Sequence, residues 1–459
     1  MIGLTVSQVC EATSGVAHRL VATELVTDVR IDSRDISDDC LFVAIKGEHA
    51  DGHDFAADVI AAGAKAVLSA RELDQPCIVV DDPVLALGRL AHWVRTRLLT
   101  CTVIGVTGSS GKTSTKELIA GILCADGPTV CPKGSLNTEV GVPLTILSAD
   151  EATKYLVLEM GMRGEGQIRY LTEIAEPSVG VIVNVGMAHA ELLGSREAIA
   201  RAKGEIVEGL PADGFAIVNG DDPLVVAKCE HTKAHVIRFG RGAECNVRAA
   251  DVRVDAAARA SFTLHHANQS VAVTLKLHGE HFVENALAAA AVALALGITI
   301  DVVAAELSIA GLDSKWRMEV QELGNHVTLV NDCYNANPES MRAALAATAS
   351  IAAGRRSWAI LGEMRELGES SREEHESLGR AAATMGIDRL ICIGEALTHT
   401  HEAAVAAGVL SASVTEIEEA VSIITTEAIP GDVILVKASR GIALERVADA
   451  LSAWNGGVA

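Results

Sequence analysis

A glycine-rich segment, residues 107–113, has the residue types and the spacing that phosphate binding needs. It is Thr-Gly-Ser-Ser-Gly-Lys-Thr, and it lies between an apolar, strand-like run and a helical pattern. Glycines let backbone N–H groups approach phosphate oxygens, and the N-terminus of the following helix adds a positive dipole end. Lys112 would neutralise β- and γ-phosphate charge, and the Thr113 hydroxyl would bind Mg²⁺. The segment therefore predicts a P-loop rather than an ordinary Gly/Ser turn.

Three more side chains lie where a nucleotide or metal site would need them. Glu159 ends an apolar run, and ligands bind beyond the carboxyl ends of parallel strands, where carboxylate oxygens suit Mg²⁺. His189 follows another such run and its turn, and Lys203 lies in a helical pattern. Each also has an ordinary interpretation: a solvent-facing carboxylate, a structural histidine and a solvated lysine. From the residues alone we predict a multidomain P-loop enzyme that uses a nucleotide and Mg²⁺, with its reaction type open.

The elements that must position these residues follow from hydrophobic patterning. Residues 262–277 alternate as antiparallel strands do, and residues 284–296 predict a long Ala-rich helix. The overall alternation of strands and helices predicts an α/β fold with three domains. These are a small mixed α/β domain at 1–99, a central P-loop ATPase-like parallel sheet at 100–311 and a C-terminal Rossmann-like α/β domain at 312–459. Near-continuous apolar runs, expected of parallel strands buried on both faces, occur at 102–106, 155–160, 179–185, 215–219, 235–239, 327–331, 357–361, 389–393 and 433–436.

The composition narrows the class of protein. The 459 residues carry 38 basic and 60 acidic side chains, a formal net charge of −22. With 49% apolar and 21% charged residues, the chain is neither disordered nor collagen-like. Its acidity and its few aromatic residues argue against a nucleic acid partner. The ten cysteines form no C-x-x-C pair, and neither a signal peptide nor a span-length apolar stretch is found, so we expect a cytoplasmic protein without membrane insertion.

The motifs together resemble the Mur ligases, ATP-dependent enzymes that form amide bonds in peptidoglycan synthesis, over all three predicted domains. Residues 107–113 are similar to the family's T-G-x-x-G-K-[ST], and L-E-M-G at 158–161 resembles its Mg²⁺-binding strand end. Residues 184–195 resemble a segment whose histidine contributes to a second metal site, and A-K-G-E at 202–205 resembles a motif whose lysine is carbamylated. The resemblance implies the catalytic residues Lys112, Glu159, His189 and Lys203. It implies two Mg²⁺ ions with the ligands Thr113, Glu159, His189 and carbamylated Lys203.

The same resemblance implies an ATP site. Asn285 matches a family asparagine that contacts adenine, and His281 is the nearest candidate for the histidine of that motif. Arg317 is similar to a C-terminal-domain arginine that reaches the phosphates. The implied ATP-binding residues are Thr107, Gly108, Ser109, Ser110, Gly111, Lys112, Thr113, Ser114, Asn285, Arg317 and Asp332.

The choice of amine is implied by residues 332–338, which resemble the D-x-Y-N-A-N-P of the family type that receives D-alanyl-D-alanine. Segments at 361–368 and 436–440 are similar to the same type. In the first domain, segments such as D-S-R at 32–34 and D-G-H-D-F at 51–55 resemble the part that holds the UDP end of the precursor. The implied substrate-binding residues are Ser33, Arg34, Lys46, Asn137, Thr138, Arg163, Asn335, Asn337, Lys437 and Ser439.

The implied reaction is ATP-dependent ligation of D-alanyl-D-alanine to UDP-N-acetylmuramoyl-tripeptide through an acyl phosphate. It would give the UDP-linked pentapeptide, ADP and phosphate, and serve cell-wall synthesis, cell shape and division. We expect a monomer. The alternatives are another Mur-type ligase, a folylpolyglutamate-synthase-like amino-acid ligase and, from a different class, a P-loop kinase.

Overall fold

The computed structural model describes residues 1–187 and 190–454, and His189 lies outside these described residues. Its first part is a small mixed α/β unit. The unit consists of β1 (Leu4–Thr5), α1 (Val6–Thr13), β2 (Val16–His18), β3 (Leu25–Val26), β4 (Asp28–Arg30), β5 (Cys40–Val43), α2 (Ala56–Ala61), β6 (Ala66–Ser69), β7 (Cys77–Val79) and α3 (Pro83–Arg97). Its main sheet has the strand order β2-β7-β6-β5-β4, parallel except for the β2–β7 pair, while β1 and β3 form a separate antiparallel pair.

The middle of the chain is built on a nine-stranded sheet. Its elements are β8 (Thr102–Thr107), α4 (Lys112–Cys124), β9 (Thr129–Val130), α5 (Gly141–Ser148), β10 (Tyr155–Glu159), α6 (Gln167–Ala175), β11 (Val179–Ile182), α7 (Ala190–Leu193), α8 (Arg196–Glu208), β12 (Phe215–Asn219), α9 (Pro223–Val226), β13 (His235–Gly240), β14 (Val247–Val254), β15 (Arg259–His266), β16 (Gln269–His278), α10 (Phe282–Ala295) and α11 (Ile300–Ile309). The strand order is β16-β15-β14-β13-β12-β11-β8-β10-β9, and only β14, β15 and β16 pair antiparallel. The carboxyl ends of β8, β10, β11 and β12 therefore meet at one edge, where ligands bind in such sheets.

The last part is a six-stranded sheet flanked by helices. It contains β17 (Glu319–Glu322), β18 (Thr328–Asn331), α12 (Pro338–Ala352), β19 (Ser357–Leu361), α13 (Ser371–Thr384), β20 (Arg389–Ile393), α14 (Thr398–Ala406), β21 (Leu410–Val414), α15 (Ile417–Glu427), β22 (Val433–Lys437) and α16 (Glu445–Trp454). The order is β17-β18-β22-β19-β20-β21, with β17 antiparallel and the rest parallel. The predicted α/β class is confirmed. None of the described helices is long and apolar enough to cross a bilayer.

Two helix contacts set the position of the site, one between the first two units and one within the middle unit. Helix α3 packs against α5 and α6, and the Arg95 guanidinium on α3 donates a 3.0 Å hydrogen bond to the Ala175 carbonyl that ends α6. Helix α10 packs against α4, and its alanines 286 and 288–291 are buried. Because alanine side chains are small, the α10 backbone comes close to the start of α4, where the P-loop ends.

Candidate active site

The loop between β8 and α4 has the geometry of an anion-binding loop. Gly111 takes a left-handed backbone with φ of +74°, and it provides no side-chain cap for α4. The N–H groups of the first helical turn are therefore available to an anion, and the helix dipole favours one there. The Lys112 ammonium lies back across the loop and donates a 2.7 Å hydrogen bond to the Gly108 carbonyl. The structure thus agrees with a phosphate-binding loop at the predicted residues.

Asn184, just after β11, fixes the shape of this loop. Its side-chain oxygen accepts hydrogen bonds of 3.0 Å from the backbone N–H groups of both Ser109 and Ser110. Its amide nitrogen donates to the Ser110 hydroxyl at 3.1 Å. Three bonds from one amide hold the loop without a charged partner.

A buried carboxylate and a hydroxyl lie side by side at the end of the loop. Glu159, at the end of β10, is only 1% exposed, so it is not the solvent-facing carboxylate of the ordinary interpretation. Its Oε2 accepts a 2.8 Å hydrogen bond from the Thr113 hydroxyl, and its Oε1 accepts one of 2.8 Å from the Asn137 amide. Glu159 forms no direct salt bridge with any described residue, and a buried charge of this kind is costly unless it is paired. Because Mg²⁺ prefers oxygen ligands, Thr113 and Glu159 fit this ion.

Lys203, on α8, is the second buried charge near the loop. It is 1% exposed, and within the described ranges it has no hydrogen-bond or ion-pair partner. Burial, together with the nearby positive charge of Lys112, lowers the pKa of Lys203 well below its usual value. The ordinary interpretation of a solvated lysine is therefore wrong. Its predicted companion His189 lies outside the described residues, and those described contain no group of three or more His, Cys, Asp or Glu side chains placed for a metal.

The pKa of Lys112 is lowered as well. Burial is the main cause, and the Arg317 guanidinium contributes in the same direction, while the Glu159 carboxylate raises it. The nearby carboxylate therefore favours the charged form of Lys112, whereas Lys203 has no such support.

The residues expected near the base lie at the start of α10. Asn285 is 4% exposed, and its side chain lies against Gly111 of the P-loop. The approach is so close that a Cβ on Gly111 would lie 2.5 Å from the Asn285 side-chain oxygen. His281 precedes the helix, and burial lowers the pKa of its imidazole to about 4. Its Nδ1 has no hydrogen-bond partner among the described residues. A neutral imidazole with one nitrogen free to form a hydrogen bond suits a polar, uncharged ring as its ligand.

The C-terminal unit closes the other side of the site. The Arg317 guanidinium donates to the Thr113 hydroxyl at 2.8 Å and the Ser135 hydroxyl at 3.2 Å. The Asn337 amide donates to the Ser109 carbonyl at 3.4 Å. Deeper in this unit, the Lys437 ammonium is 2.6 Å from an oxygen of Asp332 and is 2% exposed. Two units therefore contribute polar groups to one place.

These groups enclose a cavity of about 810 Å³. The predicted residues that line it are Ser109, Ser110, Gly111, Lys112, Thr113, Ser114, Asn137, Glu159, Asn285, Arg317, Asp332, Asn335, Asn337 and Lys437. The predicted residues that do not line it are Thr107, Gly108, Lys203, Thr138, Arg163, Ser439, Ser33, Arg34 and Lys46. Of these, Ser439 is buried, and its hydroxyl accepts a 3.0 Å hydrogen bond from the Arg365 N–H in the loop beyond β19.

The candidates in the first unit lie on an open surface. The Arg34 side chain is 87% exposed and pairs with Asp32 at 2.7 Å, which holds the pKa of the Asp32 carboxyl at about 2. Lys46 is exposed and forms an isolated bridge with Asp51. The Thr138 and Arg163 residues are exposed in the middle unit. The structure therefore places these candidates outside the P-loop cavity.

Several residues that line the cavity were not predicted from the sequence as site residues. Asp221 and Asp222 follow β12 in the segment N-G-D-D, and a polar cluster after an apolar run is the signal that could have identified them. Tyr334 lies within the motif at 332–338, which is the signal that could have identified it. Ser135 and Glu339 carry no such signal, since they lie in a loop and at a helix start and reach the cavity through tertiary packing.

Three models of protein families match successive parts of the chain. A family model described as the Mur ligase middle domain matches residues 106–293. A second, the Mur ligase glutamate ligase domain, matches 316–440, and a third, the catalytic domain of the Mur ligase family, matches 25–94.

Individual proteins are similar along nearly the whole chain. The UDP-N-acetylmuramoyl-tripeptide--D-alanyl-D-alanine ligase of Mycobacterium bovis is 43% identical, covering 99% of this chain and 98% of its own. The protein of that name from Escherichia coli is 37% identical, covering 98% and 99%. The crystal structure of MurF from Acinetobacter baumannii aligns with a TM-score of 0.89 at 33% identity, covering 98% and 99%. That of the Thermotoga maritima MurF ligase in complex with ADP has a TM-score of 0.81 at 29% identity, covering 94% and 98%.

Proposed function

The chain belongs to the Mur ligase family, and from that premise we propose that it joins D-alanyl-D-alanine to UDP-N-acetylmuramoyl-tripeptide in a reaction driven by ATP. The observation that carries the proposal is the single cavity shared by the P-loop, Glu159 and the loop after β18. A cavity that combines a phosphate-binding loop with polar groups of the C-terminal unit suits a reaction in which an activated acyl group is transferred to an amine. The names of the similar proteins support the choice of substrates.

The chemistry explains why ATP is required. A carboxylate repels nucleophiles and has no adequate leaving group. The terminal phosphoryl group of ATP is transferred to a carboxylate oxygen of the peptide, and ADP leaves. The amine nitrogen of the dipeptide then attacks the acyl carbon, phosphate leaves, and the nitrogen loses its proton. Two easier steps thus replace one difficult step, and the overall reaction is driven by the conversion of ATP to ADP and phosphate.

The chain's own residues position and stabilise these groups. Lys112 and Arg317 lie where they would balance negative charge on the phosphoryl group during transfer. Thr113 and Glu159 would hold Mg²⁺, which supplies charge neutralisation between the two anionic reactants. Asn285 and His281 would contact the adenine end.

The three parts of the chain would each hold one substrate. Residues 1–99 would bind the UDP end through Ser33, Arg34 and Lys46, and residues 100–311 would bind ATP. Residues 312–459 would bind the dipeptide. We propose that the enzyme acts as a cytoplasmic monomer. The remaining substrate contacts would come from Asn137, Thr138 and Arg163 for the peptide and from Asn335, Asn337, Lys437 and Ser439 for the dipeptide.

Lys203 would act as a carbamate. Its buried amine, with a lowered pKa, can attack CO₂ and lose a proton, which turns a cation into a carboxylate-like oxygen ligand. Together with His189, this group would hold the second Mg²⁺. Support comes from the burial of Lys203 and from its lack of a partner among the described side chains.

The assay that tests the function measures phosphate release from Mg²⁺–ATP in the presence of UDP-N-acetylmuramoyl-tripeptide and a candidate amine. We expect release to require D-alanyl-D-alanine. A kinase would show no dependence on the amine, and an enzyme that adds the third residue would prefer a free diamino acid; either result would contradict the proposal.

A P-loop variant makes the assay specific. We expect Lys112→Ala to lower turnover by about 100-fold or more while the UDP-peptide still binds, because the substitution removes a charge needed during transfer. Lys276→Ala, which changes an exposed lysine on β16, should behave like the parent protein. Near-normal turnover of Lys112→Ala would overturn the P-loop assignment.

A further inference from the structure

Helix α4 presents a second polar group on the face that carries Thr113. Glu117 lies one turn further along the helix, so its side chain and that of Thr113 are neighbours. The Glu117 side chain is only 11% exposed, although it bears a charge. A buried carboxylate needs donors, and those of Glu117 come from another part of the chain.

These donors belong to the linker between α11 and β17. The backbone N–H groups of Asp313 and Ser314 donate to Glu117 Oε2 at 3.0 and 3.3 Å. The Ser314 hydroxyl donates to Oε1 of the same carboxylate. One carboxylate on the P-loop helix therefore holds two consecutive linker residues at a fixed distance from the loop.

Three residues beyond Ser314, the chain reaches Arg317. Its neighbours Trp316 and Met318 both have left-handed backbones, with φ of +62° and +52°. Such conformations are unfavourable for residues other than glycine and persist only where the surroundings hold them. On the C-terminal side the Met318 N–H donates to Asp332 Oδ1 at 3.1 Å. The Trp316 carbonyl accepts a 3.1 Å hydrogen bond from the Tyr334 N–H, and further toward the N-terminus Glu117 holds Asp313 and Ser314.

The guanidinium held in this way makes specific contacts. It donates to the hydroxyls of Thr113 and Ser135, and it stacks on the Tyr334 ring, 4.0 Å from its centroid. We propose that Glu117 is a positioning residue: it anchors the linker so that the strained segment 316–318 directs Arg317 onto Thr113 and the phosphate end of the cavity. The inference deepens the proposed function and rests on it, since Arg317 is there assigned to the nucleotide phosphates.

The test is a double-mutant cycle on nucleotide binding. Binding of a non-hydrolysable ATP analogue with Mg²⁺ is measured by calorimetry for the parent, Glu117→Ala, Arg317→Ala and the double variant. We expect Glu117→Ala to weaken binding about tenfold in the parent background and less than twofold when Arg317 is already absent, because residues that act through one another are not additive. Glu117→Gln keeps one acceptor oxygen and should recover part of the loss.

Controls separate this role from general stability. Glu173→Ala removes an exposed glutamate from α6 and should change binding in neither background. Thermal unfolding of every variant shows whether the chain remains folded. Equal losses from Glu117→Ala in both backgrounds, or no loss in either, would overturn the proposal.

The cycle also separates the inference from the proposed function. In one outcome, the cycle shows coupling between Glu117 and Arg317 in nucleotide binding while phosphate release does not depend on D-alanyl-D-alanine. That result would support the role of Glu117 and contradict the substrate assignment. If the two substitutions had additive effects on nucleotide binding while the parent protein ligated D-alanyl-D-alanine, the role of Glu117 would be contradicted and the substrate assignment supported.

Discussion

The charges of Lys112 and Lys203 are set by their different neighbours. Burial disfavours the positive charge of both side chains, and the charge of Lys112 further disfavours that of Lys203. Glu159 supports the charge of Lys112, while Lys203 has no comparable partner among the described residues. The positive charge is therefore better supported on Lys112 than on Lys203, a difference that the carbamate proposed for Lys203 requires.

This difference predicts opposite responses to added carboxylates. Lys203→Ala should be inactive because the oxygen ligand is lost, and short-chain carboxylates such as acetate should restore part of the activity by occupying the vacated space. The measurement is phosphate release as the carboxylate concentration is raised.

Lys112→Ala is the matched control for the rescue experiment, because it removes a lysine whose role is that of a cation. Carboxylates should not restore its activity. Turnover of Lys203→Ala like that of the parent protein would exclude the carbamate role, and equal rescue of both variants would show that the effect is nonspecific.

At the scale of elements, the strands were the easiest part to predict. Phe215–Asn219, Ser357–Leu361 and Arg389–Ile393 are strands at the predicted residues, because parallel strands buried on both faces leave a continuous apolar run. Helix α4 begins at Lys112, six residues before its first apolar side chain, Leu118, because its first turn is polar and lines the cavity.

Burial of charged groups could not be predicted in the same way. Lys116 is fully buried and donates 2.7 Å hydrogen bonds to the carbonyls of Pro132 and Gly134, a distant loop. Lys203 is buried on α8, which packs against β8 and β11 of the central sheet. Such partners depend on the tertiary arrangement, so a sequence pattern favours the commoner solvated lysine.

The junction of the P-loop with α4 makes a prediction about backbone conformation. Gly111→Ala would place a side chain on a left-handed residue and within 2.5 Å of the Asn285 side-chain oxygen. The left-handed backbone alone costs roughly 1–2 kcal/mol, and the displaced loop would lose its aligned N–H groups. We expect binding of the ATP analogue to fall by about tenfold or more, together with a lower melting temperature.

Gly121→Ala, on the same helix, is the matched control. A Cβ at Gly121 has no heavy atom within 4 Å, and alanine favours helix by about 1 kcal/mol over glycine. This variant should bind nucleotide normally and be slightly more stable. If the two variants bound nucleotide equally well, the P-loop conformation would not depend on Gly111 as described.

For the whole molecule, the net charge of −22 argues against a nucleic acid as binding partner, but it does not argue against binding of ATP. The phosphates would meet local cations from two units: Lys112 beside the P-loop and Arg317 from the C-terminal unit. Burial is the main reason that the pKa of Lys112 is lowered, and the positive charge of Arg317 lowers it further. A polyanion between them would relieve this repulsion and draw the two units together.

Several polar contacts join these units in the described part of the chain. They include the bond from Asn337 to the Ser109 carbonyl and the 3.1 Å bond from the Met187 N–H to the Glu339 carboxylate. Interfaces of this kind between units of one chain commonly open and close.

We therefore predict that small-angle scattering will show a smaller radius of gyration when the ATP analogue, Mg²⁺ and the UDP-tripeptide are all bound than for the free chain. Arg317→Ala should reduce this compaction because one of the two cations is gone, while Lys276→Ala should not. An unchanged radius with both ligands bound would contradict domain closure and leave the site to act in the arrangement described.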